Sequence, residues 1–266
     1  MTGIPEDDGL RLDTVNERLR IYQFRDGVTF GTDALLLAAY VKPDPRALAL
    51  EFGGGCGIVS LLLAARRKAA RILALEAQPE YVRLIERNAA ENGLSDVVSA
   101  LCTDVRDVSD YPGDGADLIV SNPPYLRLGS GKENLSDRKN AARRETKGGI
   151  ADFCRAAAKK LTFGGRFVCV YLPARLPDLL SAMEGAGIAV KRMTVVSADP
   201  SAIPSLILAE GRLGAKPGMR LTRPLFLYSD HTHKTPSRDL EFILNNGCFP
   251  DGFGDGTDPK KKGNAR

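Results

Sequence analysis

The amino-acid sequence predicts an α/β fold: a doubly wound, mostly parallel seven-stranded sheet with an antiparallel terminal hairpin. Three observations predict it. Short apolar runs of strand length alternate with helical segments from residue 47 to residue 186, the rhythm of repeated βα units. The first of these runs, ending at Glu51, leads through Phe52-Gly53-Gly54-Gly55-Cys56-Gly57 into an apolar helix, as a strand-to-helix turn that approaches a ligand does. The last two runs, 190–196 and 205–212, are joined only by a proline-containing loop, too short for a parallel crossover.

Taken in order, residues 1–20 are polar and are expected to be loosely ordered, with a short strand at 19–23. Thr32 or Asp33 is placed to cap an apolar helix over 34–41, which Pro43 ends. Strands follow at 47–51, 71–76, 97–103 and 116–121, with helices at 58–67 and 79–92. Pro79 starts the second helix and Gly93 closes it. A polar loop occupies 126–147. A helix over 150–161, stopped by Gly164-Gly165, precedes a strand at 166–171, a helix at 175–186 and the terminal hairpin. One domain over 21–249 accommodates these elements. Residues 250–266, rich in Gly, Asp and Lys, have the composition of a disordered tail.

Composition narrows the function. Hydrophobic residues make up 43% and charged residues 26% of the 266, values of a globular chain. No apolar stretch reaches membrane-spanning length, and the acidic start lacks the apolar segment of a signal peptide. The five cysteines are scattered without a C-x-x-C pair and read as reduced thiols of a cytoplasmic protein. His231 and His233 are the only histidines, so no metal is expected. Between residues 126 and 147, seven basic residues face three acidic ones, an excess equal to the chain's whole net charge of +4. That segment suits either a phosphate backbone or plain solvation.

The sharpest local signal is Asp117-Leu118-Ile119-Val120-Ser121-Asn122-Pro123-Pro124-Tyr125. An apolar strand stops at an asparagine that the following proline pushes out of helical geometry. Two prolines fix their own φ and supply no N–H. Asn122 Oδ1 and the Pro123 carbonyl can accept both protons of an exocyclic NH2, and Tyr125 can stack on the ring that carries it. The same residues also make an ordinary stiff turn. Other positions sharpen the choice. Glu76 ends the second strand, where a carboxylate can accept both hydroxyls of a ribose. Asp104 follows the third, in reach of an adenine amino group. Each could equally be a helix cap or a surface charge. Glu51, at the mouth of the glycine turn, disfavours a pyrophosphate and favours a cationic amino group.

The arrangement Glu51…Gly53-x-Gly55-x-Gly57, Glu76, Asp104, Asn122-Pro123-Pro124-Tyr125 resembles the class I S-adenosylmethionine-dependent methyltransferases that act on planar amino or amide nitrogens. More narrowly, Phe30-Gly31-Thr32-Asp33-Ala34-Leu35-Leu36-Leu37, Ala142-Arg143-Arg144-Glu145 and Lys216-Pro217-Gly218 are similar to the bacterial valine-tRNA adenine-N6 methyltransferase family. Arg144 stands where relatives usually carry His, and Arg223-Pro224 where they tend to have Pro-Pro. The resemblance implies S-adenosyl-L-methionine as cofactor and RNA, most often tRNA, as partner. It implies Asn122, Pro123 and Tyr125 as catalytic residues. Asp33, Glu51, Gly53, Gly55, Gly57, Glu76, Asp104 and Asn122 would hold the cofactor, with Asp33 competing for the role of helix cap. Pro124, Tyr125, Lys132, Arg143 and Arg144 would hold the substrate. Three rivals stand beside it: a protein glutamine-N5 methyltransferase, a non-catalytic cofactor- or RNA-binding protein on the same scaffold, and a nicotinamide oxidoreductase.

Overall fold

The structure, a computed structural model, describes residues 9–15, 19–27, 29–107, 109, 115–124 and 148–254. Strands β1 (Leu10–Val15) and β2 (Leu19–Phe24) form an antiparallel hairpin. Helix α1 (Thr32–Tyr40) follows, then β3 (Leu48–Phe52), α2 (Ile58–Ala65), β4 (Arg71–Glu76), α3 (Pro79–Glu91), β5 (Val98–Cys102) and β6 (Ala116–Ser121). After the basic segment come α4 (Ile150–Lys160), β7 (Leu161–Tyr171), α5 (Leu176–Gly185), β8 (Ile188–Ser197) and β9 (Pro204–Leu213). Two short strands, β10 (Arg220–Leu221) and β11 (Leu225–Phe226), and helix α6 (Arg238–Asn246) complete the described chain.

Seven strands form the main sheet in the order β8-β9-β7-β6-β3-β4-β5, with β10 and β11 added in parallel to β8. All its neighbours are parallel except β9, which runs antiparallel to both β7 and β8. The expected architecture is therefore present. From β3 the chain winds outward to β5 and then returns to place β6 on the other side of β3. Such a reversal leaves a crevice beyond the strand ends at the switch point, where ligands of doubly wound sheets bind.

Strict alternation of side chains builds two cores. Leu118, Val120, Val168 and Val170 face the layer of α1, α2, α3 and the hairpin, whereas Ile119, Phe167, Cys169 and Tyr171 face α4 and α5. Helix α2 is buried along Ile58–Ala64 because the sheet lies on one side and its neighbouring helices on the other.

Four expectations are corrected. Residues 10–15 form a strand rather than a loose segment, because α3 anchors the hairpin with side chains. Asn88 Oδ1 accepts from Tyr22 N at 2.8 Å while its Nδ2 donates to Tyr22 O at 3.0 Å, and Asn92 repeats the pattern on Arg20 at 2.9 and 2.8 Å. The i, i+4 spacing puts both amides on one helix face, where they mimic a neighbouring strand. Gly164-Gly165 does not stop α4. The helix ends at Lys160 and passes directly into β7, and the glycines sit in a bulge where the register jumps from Ala116↔Leu161 to Leu118↔Arg166. A Cβ at Gly165 would lie 2.9 Å from Thr162 O, which is why no larger residue fits. The domain boundary at 249 falls inside an aromatic cluster, since buried Phe253 packs on Phe249 and Phe249 on Tyr40, with ring centroids 4.9 and 5.2 Å apart. Finally, α1 starts at Thr32 with Gly31 as its N-cap and no side-chain cap, so neither Thr32 nor Asp33 caps it. The far end of α1 is closed by Lys68, whose Nζ donates to Ala38 O, Ala39 O and Val41 O at 2.8, 3.0 and 2.7 Å. Burial lowers the Lys68 pKa to about 7.

Candidate active site

The crevice at the switch point is a cavity of about 540 Å³, within the usual range of small-molecule sites. The ends of β3 and β6 form its floor and are tied together, because the buried Ser121 hydroxyl donates to Phe52 O at 2.9 Å.

After β3 the chain turns through Gly53, Gly55 and Gly57 at φ 77°, 53° and 84°, left-handed values that exclude most side chains. Its amides are consumed within the protein. Gly53 N and Gly54 N both donate to Leu75 O at 2.9 and 3.0 Å, Gly57 N to Gly54 O at 2.8 Å, and Gly55 N to Glu76 Oε2 at 3.0 Å. At the start of α2, Ser60 N and Ser60 Oγ donate to Glu51 Oε2. A phosphate would need these donors. Their engagement by carbonyl and carboxylate oxygens argues against a dinucleotide. Glu51 is buried, and burial pushes its pKa up to about 8.

The structure brings Asp33, Glu51, Gly53, Gly55, Glu76, Asp104, Asn122, Pro123 and Pro124 onto this one cavity. Gly57 does not line it. That residue fills a steric role, since a Cβ there would lie 3.2 Å from Ile85 Cγ2 on α3. Glu76 is held from both sides, with Oε1 accepting from Gln78 N at 3.0 Å, and burial raises its pKa. Both oxygens of Asp104 are gripped by Arg106, through Nε at 2.8 Å and Nη2 at 2.7 Å. Asn122 is half-buried, and its Nδ2 donates to Asp33 Oδ2 at 2.9 Å. Tyr125, Lys132, Arg143 and Arg144 lie outside the described residues.

Sequence reasoning missed the apolar walls, Phe30, Leu75, Val105 and Phe153. It also missed Gln23, which holds the Phe30 backbone N–H at 2.9 Å through Oε1 and donates to Asp13 from Nε2. The hairpin thereby steadies one wall, and Asn88 Nδ2, donating to Cys56 O at 2.9 Å, steadies the glycine loop. No local pattern announces such contacts. His233 is exposed beside Asp199, with Nε2 and Oδ2 2.9 Å apart. Among the described residues no group of three His, Cys, Asp or Glu could hold a metal, and no helix is long and apolar enough to cross a membrane.

Acceptors line the polar side of the cavity, and an adenosyl group with a cationic amino acid supplies the donors they need. The fold and the cavity together define a class I S-adenosylmethionine-dependent methyltransferase. The methyltransferase small domain model matches residues 24–178. A tRNA1(Val) (adenine(37)-N6)-methyltransferase from Porphyromonas gingivalis is 30% identical over 203 residues, 74% of this chain and 79% of the relative. Among solved structures, a predicted O-methyltransferase from Agrobacterium tumefaciens superposes with a TM-score of 0.63 at 22% identity, over 81% of this chain and 96% of that one. The M. jannaschii tRNA m1G37 methyltransferase gives 0.56 at 16% identity, over 79% and 59%. The chain belongs to the methyltransferase small domain family.

Proposed function

We propose that the protein methylates the exocyclic N6 of an adenine in RNA, a tRNA by preference, in the cytoplasm. The observation that carries the reading is the placement of Asn122, Pro123 and Pro124 on the same cavity as Gly55 and Glu76, so that an amino-nitrogen grip and a cofactor cradle share one space. The relative from P. gingivalis supports the choice of adenine and tRNA.

The residues fit the cofactor. Above Gly53 and Gly55 the space is open, with nothing within 4 Å of a Cβ at either position, so a methionine moiety can lie against the backbone. Glu51 contributes an acceptor near that end, Glu76 takes the ribose hydroxyls, and Asp104 faces the adenine side. Bound there, S-adenosylmethionine supplies a methyl group on a sulfonium.

The rest falls to this chain's own groups. An adenine amino nitrogen is a poor nucleophile because its lone pair is delocalised into the ring. Asn122 Oδ1 and the Pro123 carbonyl accept its two N–H bonds, which favours a pyramidal nitrogen with the lone pair directed at the methyl group. Fixed acceptors act where positive charge develops, the setting in which electrostatics contributes most. Holding the two reactants in line supplies the proximity term. The methylated nitrogen carries positive charge and is acidic enough to pass its proton to water without a dedicated base. Tyr125 stacks on the extruded base, Pro124 abuts it, and Lys132, Arg143 and Arg144 hold the flanking phosphates.

The test is incubation of the full chain with methyl-labelled cofactor and unmodified tRNA, followed by mass spectrometry of the nucleosides. Labelled N6-methyladenosine is expected. Label on a glutamine-containing protein substrate instead, with none on RNA, would transfer the chemistry to the glutamine rival.

A further inference from the structure

Asp33 and Asn122 stand 89 residues apart and meet at the cavity, with Asn122 Nδ2 donating to Asp33 Oδ2 at 2.9 Å. Chemistry fixes the sense of that contact. A carboxylate accepts and does not donate, so the NH2 of the amide must face it and Oδ1 must turn the other way. Without such a partner an asparagine amide has no strong preference, because its terminal torsion is broad and roughly two-fold. Turned over, it would aim two donors at a substrate that itself brings two.

We infer that Asp33 is a positioning residue that fixes the Asn122 amide with its oxygen toward the amino group to be methylated. The inference rests on the function proposed above and deepens it. Two further observations and a point of chemistry support it. Asp33 lies in the first turn of α1 without capping it, in a place that favours negative charge. Gly31 has φ −119° and ψ −171°, extended values any residue adopts, so conformation does not require glycine there. A Cβ at Gly31 would lie 2.9 Å from Asp33 Oδ1, so a larger residue there would make the carboxylate shift. The third is polarisation, since donating to a carboxylate strengthens the amide oxygen as an acceptor. As positive charge grows on the substrate nitrogen, the amide dipole and the Asp33 charge behind it point the favourable way.

The test uses four variants of the full chain: D33N, N122D, the exchanged pair carrying both, and G31A. Turnover, KM for tRNA and cofactor Kd by calorimetry are read for each. D33N replaces the charged acceptor with a neutral amide that can present either its oxygen or its NH2, so the orientation is no longer enforced. It should lower kcat about tenfold or more, as weakening a hydrogen bond to a charged group does, with the cofactor Kd within about threefold of wild type. N122D sets two carboxylates face to face and should lose more. The exchanged pair restores one donor facing one acceptor with the roles reversed and should recover at least about tenfold over N122D, as a repaired hydrogen bond to a charged group would. G31A crowds the Asp33 carboxylate and should lower kcat while unfolding like wild type. An exchanged pair no better than N122D, or a D33N variant with raised cofactor Kd and unchanged kcat, overturns the inference. A readout that needs no substrate separates the two readings. The Asn122 side-chain amide resonance, identified by its loss in N122A, should show one proton slow to exchange in wild type and fast in D33N. If that protection is present but no RNA is methylated, the function reading fails and the orientation stands. If it is absent, the orientation fails.

Discussion

Two turns meet at the cavity and reach one chemical result by opposite means. After β3 the chain turns on glycines, whose freedom must then be tied down: Gly53, Gly54, Gly55 and Gly57 each donate a backbone N–H to an oxygen of the protein itself. After β6 it turns on Pro123 and Pro124, whose rings fix φ and whose nitrogens carry no hydrogen. Donors are consumed in the first turn and deleted in the second. Both therefore offer acceptors to the cavity, beside the carboxyl oxygens of Asp33, Glu51, Glu76 and Asp104. Such a space welcomes N–H, O–H and positive charge, and it repels phosphate. What separates the turns is the ligand each addresses, cofactor for one and nucleobase for the other.

The largest expected effect breaks that division if it fails. Asn122→Ala should reduce single-turnover methylation about a hundred- to a thousandfold, as loss of a charge-stabilising group does, and leave cofactor Kd near wild type. Glu76→Gln should do the reverse, raising cofactor Kd about ten- to hundredfold while kcat at saturating cofactor stays close to wild type. A kcat loss there would merge the two turns into one functional unit. Asn88→Ala strips three hydrogen bonds from a fully buried amide. It should lower stability by about 2–4 kcal/mol, measured in urea, and an unchanged midpoint would show that the hairpin does not need its side-chain anchor.

A further effect is a pH dependence. Glu51 has a folded-state pKa pushed up to about 8 by burial, from an ordinary 4.5. Between those values the folded protein keeps a proton that the unfolded chain has released. Its contribution to stability is whole below the ordinary value and is lost as pH rises through about 8. Urea midpoints across that window should fall with rising pH, and Glu51→Gln should flatten the decline.

Much of this was legible in the sequence because it is local. Gly53-x-Gly55-x-Gly57 and Asn122-Pro123-Pro124 declare backbone geometry through the residues themselves, and the strand ending in Glu76 fell at its observed limits. Contacts between distant segments left no such mark. Asn88 and Asn92 resemble any polar residues on an amphipathic helix until β2 lies against them. Asp33 looks like a cap until β6 brings Asn122 to it. Gly164-Gly165 follows a helix as a stop would, and only the jump in pairing with β6 shows the bulge.

Helix α1 carries Asp33 in its first turn and is clamped at its other end by the Lys68 ammonium. Its nine residues span about 13 Å, a stiff pointer held at the heel. Loosening the heel would leave the tip less firmly held, so a residue outside the cavity lining bears on the aim of one that faces it. Erosion of activity by substitutions at Lys68 would then be a matter of leverage and not of chemistry.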